Sequence, residues 1–357
     1  MRWLYCSIVV VFLPIGNAQA VETMRIAISS GHTSVKISAR NLLVGFDDKG
    51  GRLSPSGTSA MVGLRKGHLT LNGKSIPHTA LRFRAHKSRT LSVLNTKVHG
   101  DIVVQKAHHT LVVVNVLPLE EYLVGVLGGE MLRSFPMEAL KAQAVAARTY
   151  AVHKKLKRNA HPYHLGNSVI SQVYKGLSAR DLRMRKAVNA TRGLILTWRL
   201  RPIEAYYHSS CGGRTESGVD ALARNLPYLK PVRCPCKRLP TSHWSLTLPF
   251  QVLKRKFKQF PMLQVQRRTP TGRVAKIRVG RRSISGVAFR KRIGYMKLKS
   301  LAFRLRKAPK GWHINGLGFG HGAGMCQWGA SVYAKRGWSF QKILRHYYAN
   351  AELQLLY

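Results

Sequence analysis

Residues 117–155 constrain the fold of this chain more than any other stretch. The first part is apolar and ends in two glycines and Glu130. The second part contains six alanines between positions 139 and 151, and alanine is the strongest helix former. Pro136 suits the first turn of such a helix, with Ser134 or Phe135 as its cap. The pattern therefore predicts a long, alanine-rich central helix.

One face of that helix is predicted to carry Glu138, Lys141 and Arg148, which follow one another at helical spacing. Glu138 then lies near the positive end of the helix dipole. A solvated basic stripe is the simplest explanation of the two cations in a chain this basic. Glu130 favours a functional explanation, because the two glycines before it leave room for a bulky ligand to approach its carboxylate.

Two motifs in this stretch, E-Y-L-x-G-V-x-x-x-E-M and E-A-L-K-A-Q-A-V-A-A-R-T-Y, closely resemble the signature of the stage II sporulation protein D family. That family includes the amidase enhancers of cell-wall lysis, and its enzymes are lytic transglycosylases that act on peptidoglycan glycan strands. Leu132 stands where the family usually has proline. The resemblance implies that Glu130 is the catalytic acid. It also implies that Lys141 and Arg148 bind anionic or carbonyl groups of the glycan, or orient Glu130.

Two later motifs resemble the same family. His208 and Ser209 begin H-S-S-C-G-G-R-T, where the family has H-S-x-x-G-G-x-T. His321 and Gln327 belong to G-H-G-A-G-M-C-Q-W-G-A, in which Cys326 replaces the family's serine. The resemblance implies that these two histidines, the serine and the glutamine bind substrate, and a purely structural turn is the alternative for the first motif. The glycines do not indicate a dinucleotide loop, which requires a βαβ unit and an acid about 20 residues further on.

The cysteines leave two hypotheses open. Four of the five cysteines lie after residue 20, and an even number in an oxidising compartment is typical of disulfides. Cys234 and Cys236 are too close in sequence to pair without strain, so a disulfide would involve Cys211. Alternatively, His208, Cys211, Cys234 and Cys236 supply one imidazole and three thiolates for a structural zinc ion. Catalysis itself is predicted to need no cofactor.

Residues 1–20 have the pattern of a signal peptide. A positive start is followed by a short apolar run and by the small-residue site Ala18-Gln19-Ala20. The apolar run is too short to span a membrane. The mature protein is therefore predicted to be exported to the periplasm, the cell wall or the extracellular space.

The chain is strongly basic, with 60 Lys and Arg against 13 Asp and Glu in 357 residues. Residues 251–310 contain 20 basic residues and no acid. In an exported protein this excess favours anionic envelope polymers over nucleic acid as partners. Eight of the 13 acids lie between positions 120 and 220, so a carboxylate that transfers protons has few candidates, and they cluster around the central stretch.

The fold predicted for the chain is α+β. Short alternating apolar runs separated by turns, such as the one at Asn72 and Gly73, indicate a β-rich N-terminal region over residues 21–100. Residues 101–357 are predicted to form a mixed α/β catalytic core around the alanine-rich helix. The signal peptide, this β-rich region and the core make up the predicted domain organisation.

The function predicted from these residues and the resemblance is a lytic transglycosylase of peptidoglycan, with Glu130 as its single acid and base. Its substrate is expected to be glycan stripped of stem peptides, which would make an amidase its partner. Partial burial beside Leu127 and Met131 would raise the pKa of Glu130, whereas the neighbouring cations Lys141 and Arg148 would lower it, and the sequence leaves the direction open. The alternatives are a non-catalytic peptidoglycan-binding enhancer of an N-acetylmuramoyl-L-alanine amidase and a structural protein that binds polyanions.

Overall fold

The computed structural model describes residues 22–53, 57–86, 90–167, 171–258 and 262–357. The predicted signal peptide, residues 1–20, lies outside the described residues. The described chain combines helices with several β-sheets, which confirms the predicted α+β class. None of the helices in these ranges is long and apolar enough to cross a membrane.

Strands make up most of the described chain between residues 23 and 118, as the alternating pattern predicts. Along most of them buried and more exposed side chains alternate, so one face of each packs inward. Their bounds are β1 Thr23–His32, β2 Ser34–Ala39, β3 Leu43–Phe46, β4 Arg52–Leu53, β5 Ser59–Arg65, β6 His68–Leu71, β7 Lys74–Ile76, β8 Ala80–Ala85, β9 Thr90–Val93, β10 Thr96–His99, β11 Asp101–Ala107 and β12 Thr110–Pro118.

These strands form two sheets that share one hydrophobic core with the helices that follow. The first sheet has the order β1-β12-β11-β8-β3-β4, and β13, Leu165–Gly166, adds to its edge parallel to β1. The second sheet has the order β10-β9-β2-β5-β6-β7. The predicted boundary at residue 100 falls inside this unit, because β11 pairs with β8 and opposes Ile102 to Phe83. The β-rich region and the helices are therefore packed as one body.

The central helix α2 runs from Met137 to Lys157, directly after α1, Leu119–Glu130. All six of its predicted alanines are fully buried, which lets other elements approach its backbone closely. Pro136 occupies the capping position without a side-chain cap, so the prediction that Ser134 or Phe135 caps the helix is wrong. The remaining helices are α3 Leu182–Asn189, α4 Gly218–Leu222, α5 Phe250–Phe257, α6 Gly286–Ile293, α7 Gln327–Lys335 and α8 Phe340–Tyr347.

Residues 243–317 form a smaller lobe with a hydrophobic core of its own, built around Trp244, Phe289, Phe303 and Ile314. Two three-stranded antiparallel sheets and the helices α5 and α6 surround this core. The strands of the lobe are β17 His243–Pro249, β18 Leu263–Arg268, β19 Val274–Val279, β20 Arg282–Ser285, β21 Ala302–Ala308 and β22 Gly311–Leu317.

Two short strands bring motifs together that are distant in sequence. β16, Tyr207–His208, pairs in parallel with β23, Met325–Cys326, and His208 lies opposite Cys326. The H-S-S-C-G-G turn and the G-M-C-Q-W-G-A motif therefore lie side by side, and α7, which begins in the second motif, packs against α2. The other strands are β14 Leu194–Trp198, β15 Arg201–Pro202 and β24 Glu352–Leu355, and 3₁₀ turns span Gly176–Ala179, Pro235–Arg238 and Pro240–Ser242.

Candidate active site

Glu130 is the last residue of α1, and its partly exposed carboxyl group faces two other segments of the chain. Its Oε1 accepts a hydrogen bond of 2.8 Å from the backbone N–H of Val173. Its Oε2 lies 3.5 Å from Nε2 of Gln327, the first residue of α7. Two of the predicted site residues, Glu130 and Gln327, are thus brought together across 197 positions of sequence.

Burial raises the pKa of the Glu130 carboxyl, so the effect of burial outweighs that of the neighbouring cation. The N–H of Val173, the amide of Gln327 and the charge of Lys175 oppose this rise without cancelling it. The opposing cation is therefore Lys175, not Lys141 or Arg148. A carboxyl group in this setting keeps its proton to a higher pH than a solvated glutamate.

Most other acids of the chain contact basic side chains. Burial would raise the pKa of Glu121, but Arg185 and Arg180 lower it to about 2. Glu130 itself, Asp220 and Glu352 form no ion pair within the described ranges. Ten of the 13 acids contact a Lys, Arg or His side chain: Glu22, Asp47, Asp48, Asp101, Glu120, Glu121, Glu138, Asp181, Glu204 and Glu216.

The two glycines before Glu130 admit protein rather than ligand. A Cβ on Gly128 would lie 1.7 Å from the carbonyl oxygen of Ala179, and one on Gly129 would lie 2.5 Å from that of Val173. The expectation that they open a path for substrate is wrong. They instead let residues 173–179 pack against α1, which places the N–H of Val173 on the carboxylate.

Gln172 holds this segment in place, a role that sequence reasoning missed. Its Oε1 accepts a bond of 2.9 Å from the Tyr122 hydroxyl. Its Nε2 donates to the Tyr207 hydroxyl and to the carbonyl of Ala147, both at 3.1 Å. The side chain is fully buried, so α1, α2 and β16 together hold the residue that precedes Val173.

Arg148 is placed where it cannot contact a substrate. Its side chain is fully buried and forms two hydrogen bonds, of 2.8 and 2.7 Å, with the carboxylate of Glu120. It also donates to the carbonyls of Val188 and Leu194. The implied roles of binding glycan or orienting Glu130 are not supported by this position, because every one of these partners belongs to the helix and strand packing.

Lys141 lies at the surface of α2 but is paired within its own helix. Its Nζ donates to Oε1 of Glu138 at 2.7 Å, and the other oxygen of Glu138 accepts the N–H of Phe340. About a quarter of the lysine side chain is exposed, so a ligand can still reach it. The structure shows no contact between Lys141 and Glu130.

The two motif histidines are both neutral and adjacent, with ring centroids 5.3 Å apart. His208 is buried, and its Nδ1 donates to the carbonyl of Ala323, which agrees with the structural-turn alternative. His321 is partly exposed; its Nε2 donates to the Tyr207 carbonyl and its Nδ1 accepts the N–H of Ala323. Burial lowers the pKa of His208 well below its usual range and that of His321 to about 4.

Ser209 connects the same turn to α7. Its carbonyl accepts the N–H of Trp328 at 3.1 Å, so the residue helps to hold the start of the helix that carries Gln327. The ring of Trp328 packs edge-on against Phe135 at a centroid distance of 4.8 Å. Ser209 itself is partly exposed and remains accessible to a ligand.

The predicted metal ligands are only partly brought together. The sulfur atoms of Cys211, Cys234, Cys236 and Cys326 all lie within 4.8 Å of one another. His208, which was predicted as the fourth ligand, is replaced in this cluster by Cys326. The reason is the parallel pairing of β16 with β23, which brings a cysteine 90 residues beyond Cys236 to the same place.

Comparison with known proteins agrees with the motifs. A sequence model described as Stage II sporulation protein matches residues 107–198. Stage II sporulation protein D of Bacillus amyloliquefaciens is 34% identical over 259 residues, which cover 66% of this chain and 74% of that protein. The chain belongs to the stage II sporulation protein D family. Glu130, Lys141 and Arg148 all fall inside the matched family segment.

Other relatives extend the match beyond that segment. An uncharacterized protein of Brachyspira hyodysenteriae is 31% identical over 80% of this chain and 79% of its own length. The Amidase enhancer of Bacillus subtilis is 28% identical over 65% of this chain, which spans only 40% of that longer protein. Residues 246–324, which include most of the smaller lobe, match a domain of unknown function, DUF8618.

Proposed function

We propose that this protein is a lytic transglycosylase that cleaves peptidoglycan glycan strands, with Glu130 acting first as acid and then as base. Family membership supports a cell-wall-related role. The observation that carries the specific reaction is the state of the Glu130 carboxyl, which has a raised pKa, partial exposure and no ion pair within the described residues. Most of the other acids contact basic side chains, and Arg185 and Arg180 lower the pKa of Glu121 to about 2.

The two oxygens of Glu130 have different roles in this proposal. Oε1 accepts the N–H of Val173 and therefore stays an acceptor. Oε2 has only the distant amide of Gln327, so it carries the transferable proton. That proton passes to the glycosidic oxygen as the bond from this oxygen to C1 of muramic acid breaks and positive charge develops on the sugar.

The resulting carboxylate then acts as a base. It takes the proton from the O6 hydroxyl of the same muramic acid as that oxygen bonds to C1, and a 1,6-anhydro end is formed. The proton returned to Oε2 restores the acid for the next cycle. Water is not a reactant, so the second carboxylate that a hydrolase needs at about 5–9.5 Å is not required.

The exposed residues near Glu130 and the basic smaller lobe support a proposal for the substrate and the cellular location. The partly exposed Lys141, Ser209 and His321 are the predicted substrate-binding residues that a glycan strand can reach. Glycan stripped of its stem peptides is the proposed substrate, and an amidase is the proposed partner. An exported location, in the periplasm or the cell wall, follows from that substrate. The basic surface of the smaller lobe is proposed to bind anionic envelope polymers.

A non-catalytic enhancer of an amidase is the second candidate function. The observation in its favour is the similarity to the Amidase enhancer of Bacillus subtilis. In that case the basic surface would hold the protein on the wall, and Glu130 would be dispensable.

The Glu130→Gln variant separates the two functions. The amide keeps the shape but cannot donate a proton, so release of anhydro-ended glycan from amidase-treated sacculi should fall about 100- to 10,000-fold. Folding should survive at neutral pH, because a raised pKa means that the folded protein disfavours the charged carboxylate. Binding to denuded glycan should also survive.

Glu352→Gln is the matched control, since this exposed acid also forms no ion pair in the described chain and lies outside the motif. It should cleave at the wild-type rate. Wild-type release of anhydro-muropeptides by Glu130→Gln would move the acid elsewhere, and Glu138 and Asp220 would be tested next. Stimulation of an amidase by both variants, without cleavage by the wild type, would support the enhancer.

A further inference from the structure

Four buried cysteines from three separate segments meet next to the candidate active site. Cys211 lies in the turn after β16, Cys234 and Cys236 flank a proline at a 3₁₀ turn, and Cys326 precedes α7. Their sulfur atoms all lie within 4.8 Å of one another. Four thiolates around one zinc ion, each about 2.3 Å from the metal, place their sulfurs about 3.8 Å apart. The sulfurs of Cys211 and Cys236 are 3.4 Å apart, so the cluster needs only small shifts in both directions to reach that geometry.

Hydrogen-bond donors point at these sulfurs, as they do around metal-bound thiolates. The Cys326 sulfur accepts the backbone N–H groups of Cys211 at 3.3 Å and of Gly329 at 3.2 Å. The Ser210 hydroxyl lies 3.5 Å from the Cys236 sulfur, and the Tyr347 hydroxyl lies 3.2 Å from that of Cys234. Donors of this kind stabilise the negative charge on the ligands and fix their orientation.

We propose that Cys211, Cys234, Cys236 and Cys326 bind one structural zinc ion. Binding displaces the four thiol protons to solvent, and no oxidation or reduction takes place. Four protein ligands fill the tetrahedral shell, so the metal has no open position for a substrate or a reactive water. The site is therefore structural, and His208 is not one of its ligands.

The zinc ion also acts on the candidate active site through its position in the chain. Cys326 is bonded directly to Gln327, whose amide lies 3.5 Å from Oε2 of Glu130. Cys211 follows the Ser209 carbonyl that holds the N–H of Trp328. The ion thus ties the start of α7 to the turn after β16. This positioning role rests on the proposed function, whereas zinc binding itself does not.

Two disulfides are the competing arrangement of the same four cysteines. The mutual proximity of all four sulfurs, rather than a division into two pairs, favours the metal. The backbone N–H groups directed at the Cys326 sulfur favour it as well, because they stabilise a thiolate more than a disulfide sulfur.

Metal analysis of the purified full chain tests the proposal without any glycan. Elemental analysis by inductively coupled plasma mass spectrometry should find one zinc ion per chain. Replacement by cobalt should produce thiolate-to-cobalt charge-transfer absorption. Cys326→Ser should fold, because the family has serine at this position, and it should lose most of the zinc. His208→Gln should keep one zinc per chain.

The hydroxyl of Tyr347 gives a second, milder perturbation. Tyr347→Phe keeps the ring in the core and removes only the donor to Cys234, so zinc affinity in competition with a chelator should fall about 10- to 100-fold. A chelator should also lower the thermal stability of the wild-type chain more than a reductant does.

Three outcomes would overturn the proposal. The first is a chain without zinc whose non-reduced peptides show two disulfides. The second is zinc that Cys326→Ser retains and His208→Gln loses. The third is Tyr347→Phe with unchanged affinity together with no cobalt charge-transfer band. Glu130→Gln should keep its zinc, so a failure of zinc binding is distinguished from a failure of the proposed catalysis.

Discussion

Arg148→Met tests whether the central helix uses its buried cation for packing. Methionine keeps an unbranched side chain of similar length and removes the guanidinium group. Glu120, whose side chain is only 10% exposed, then loses two hydrogen bonds of 2.8 and 2.7 Å and its counter-charge. The carbonyls of Val188 and Leu194 lose a donor as well.

The expected cost follows from the charge that stays behind. Removing one partner of a buried ion pair destabilises a protein by about 3–5 kcal/mol, because the other remains buried without its counter-charge. In a cooperative unit of 150–250 residues, each kcal/mol lowers Tm by about 2–4 °C, so Tm should fall by about 6–20 °C. Adding Glu120→Gln to Arg148→Met should recover part of the loss, since it removes the stranded charge.

Lys141→Met is the matched control on the same helix. Its pair with Glu138 is partly exposed and three residues apart, so its loss costs about 0.2–0.5 kcal/mol and about 2 °C or less. Calorimetry gives the two Tm values, and binding of Arg148→Met to denuded glycan is compared with that of the wild type below its transition. The packing argument is refuted if Arg148→Met has the same Tm as Lys141→Met and yet no longer binds glycan. In that case the guanidinium contacts substrate.

Two further predictions concern pH and salt. The cleavage rate should decline as pH rises through the raised pKa of Glu130, because the deprotonated carboxyl cannot donate a proton. Initial rates measured across pH should show this decline. A rate that rises over the same pH range would place the catalytic acid elsewhere. Binding to whole sacculi should weaken steeply with salt, because residues 251–310 hold 20 cations and the Debye length shrinks from about 10 Å at 0.1 M to about 3 Å at 1 M. Equal sedimentation with sacculi at both ionic strengths would show that charge does not hold the protein to the wall.

The sequence predicts the local features of this fold well. The helical preference of alanine is large enough to mark α2, and alternation marks the N-terminal strands. Glu130 and its neighbour Gln327 were both identified because they lie in motifs that resemble the family. The geometry between them depends on β16 pairing with β23, and no local pattern reports a contact across more than 100 positions.

The failed expectations share one physical cause, which is a partner that is distant in sequence. Arg148 looks like a surface cation until Glu120, 28 residues earlier, is seen to neutralise it. Gly128 looks like an opening until the Ala179 carbonyl fills it. Cys326 completes the sulfur cluster from a different motif. Residue type and spacing could not distinguish these cases, because each depends on what tertiary packing brings alongside.

The smaller lobe enters and leaves the rest of the chain at one place. His243 and Leu317 are opposite each other at the base of β17 and β22, and the next residues outward, Ser242 and Gly318, share a backbone hydrogen bond of 2.6 Å. The lobe is also tied to the rest of the chain away from this base. Arg273 donates to the carbonyls of Cys211 and Arg214, and the hydroxyls of Thr269 and Thr271 donate to the buried carboxylate of Glu216. The charge of the lobe can therefore change at its exposed cations, whereas these three side chains must be kept to hold the turn that carries Cys211.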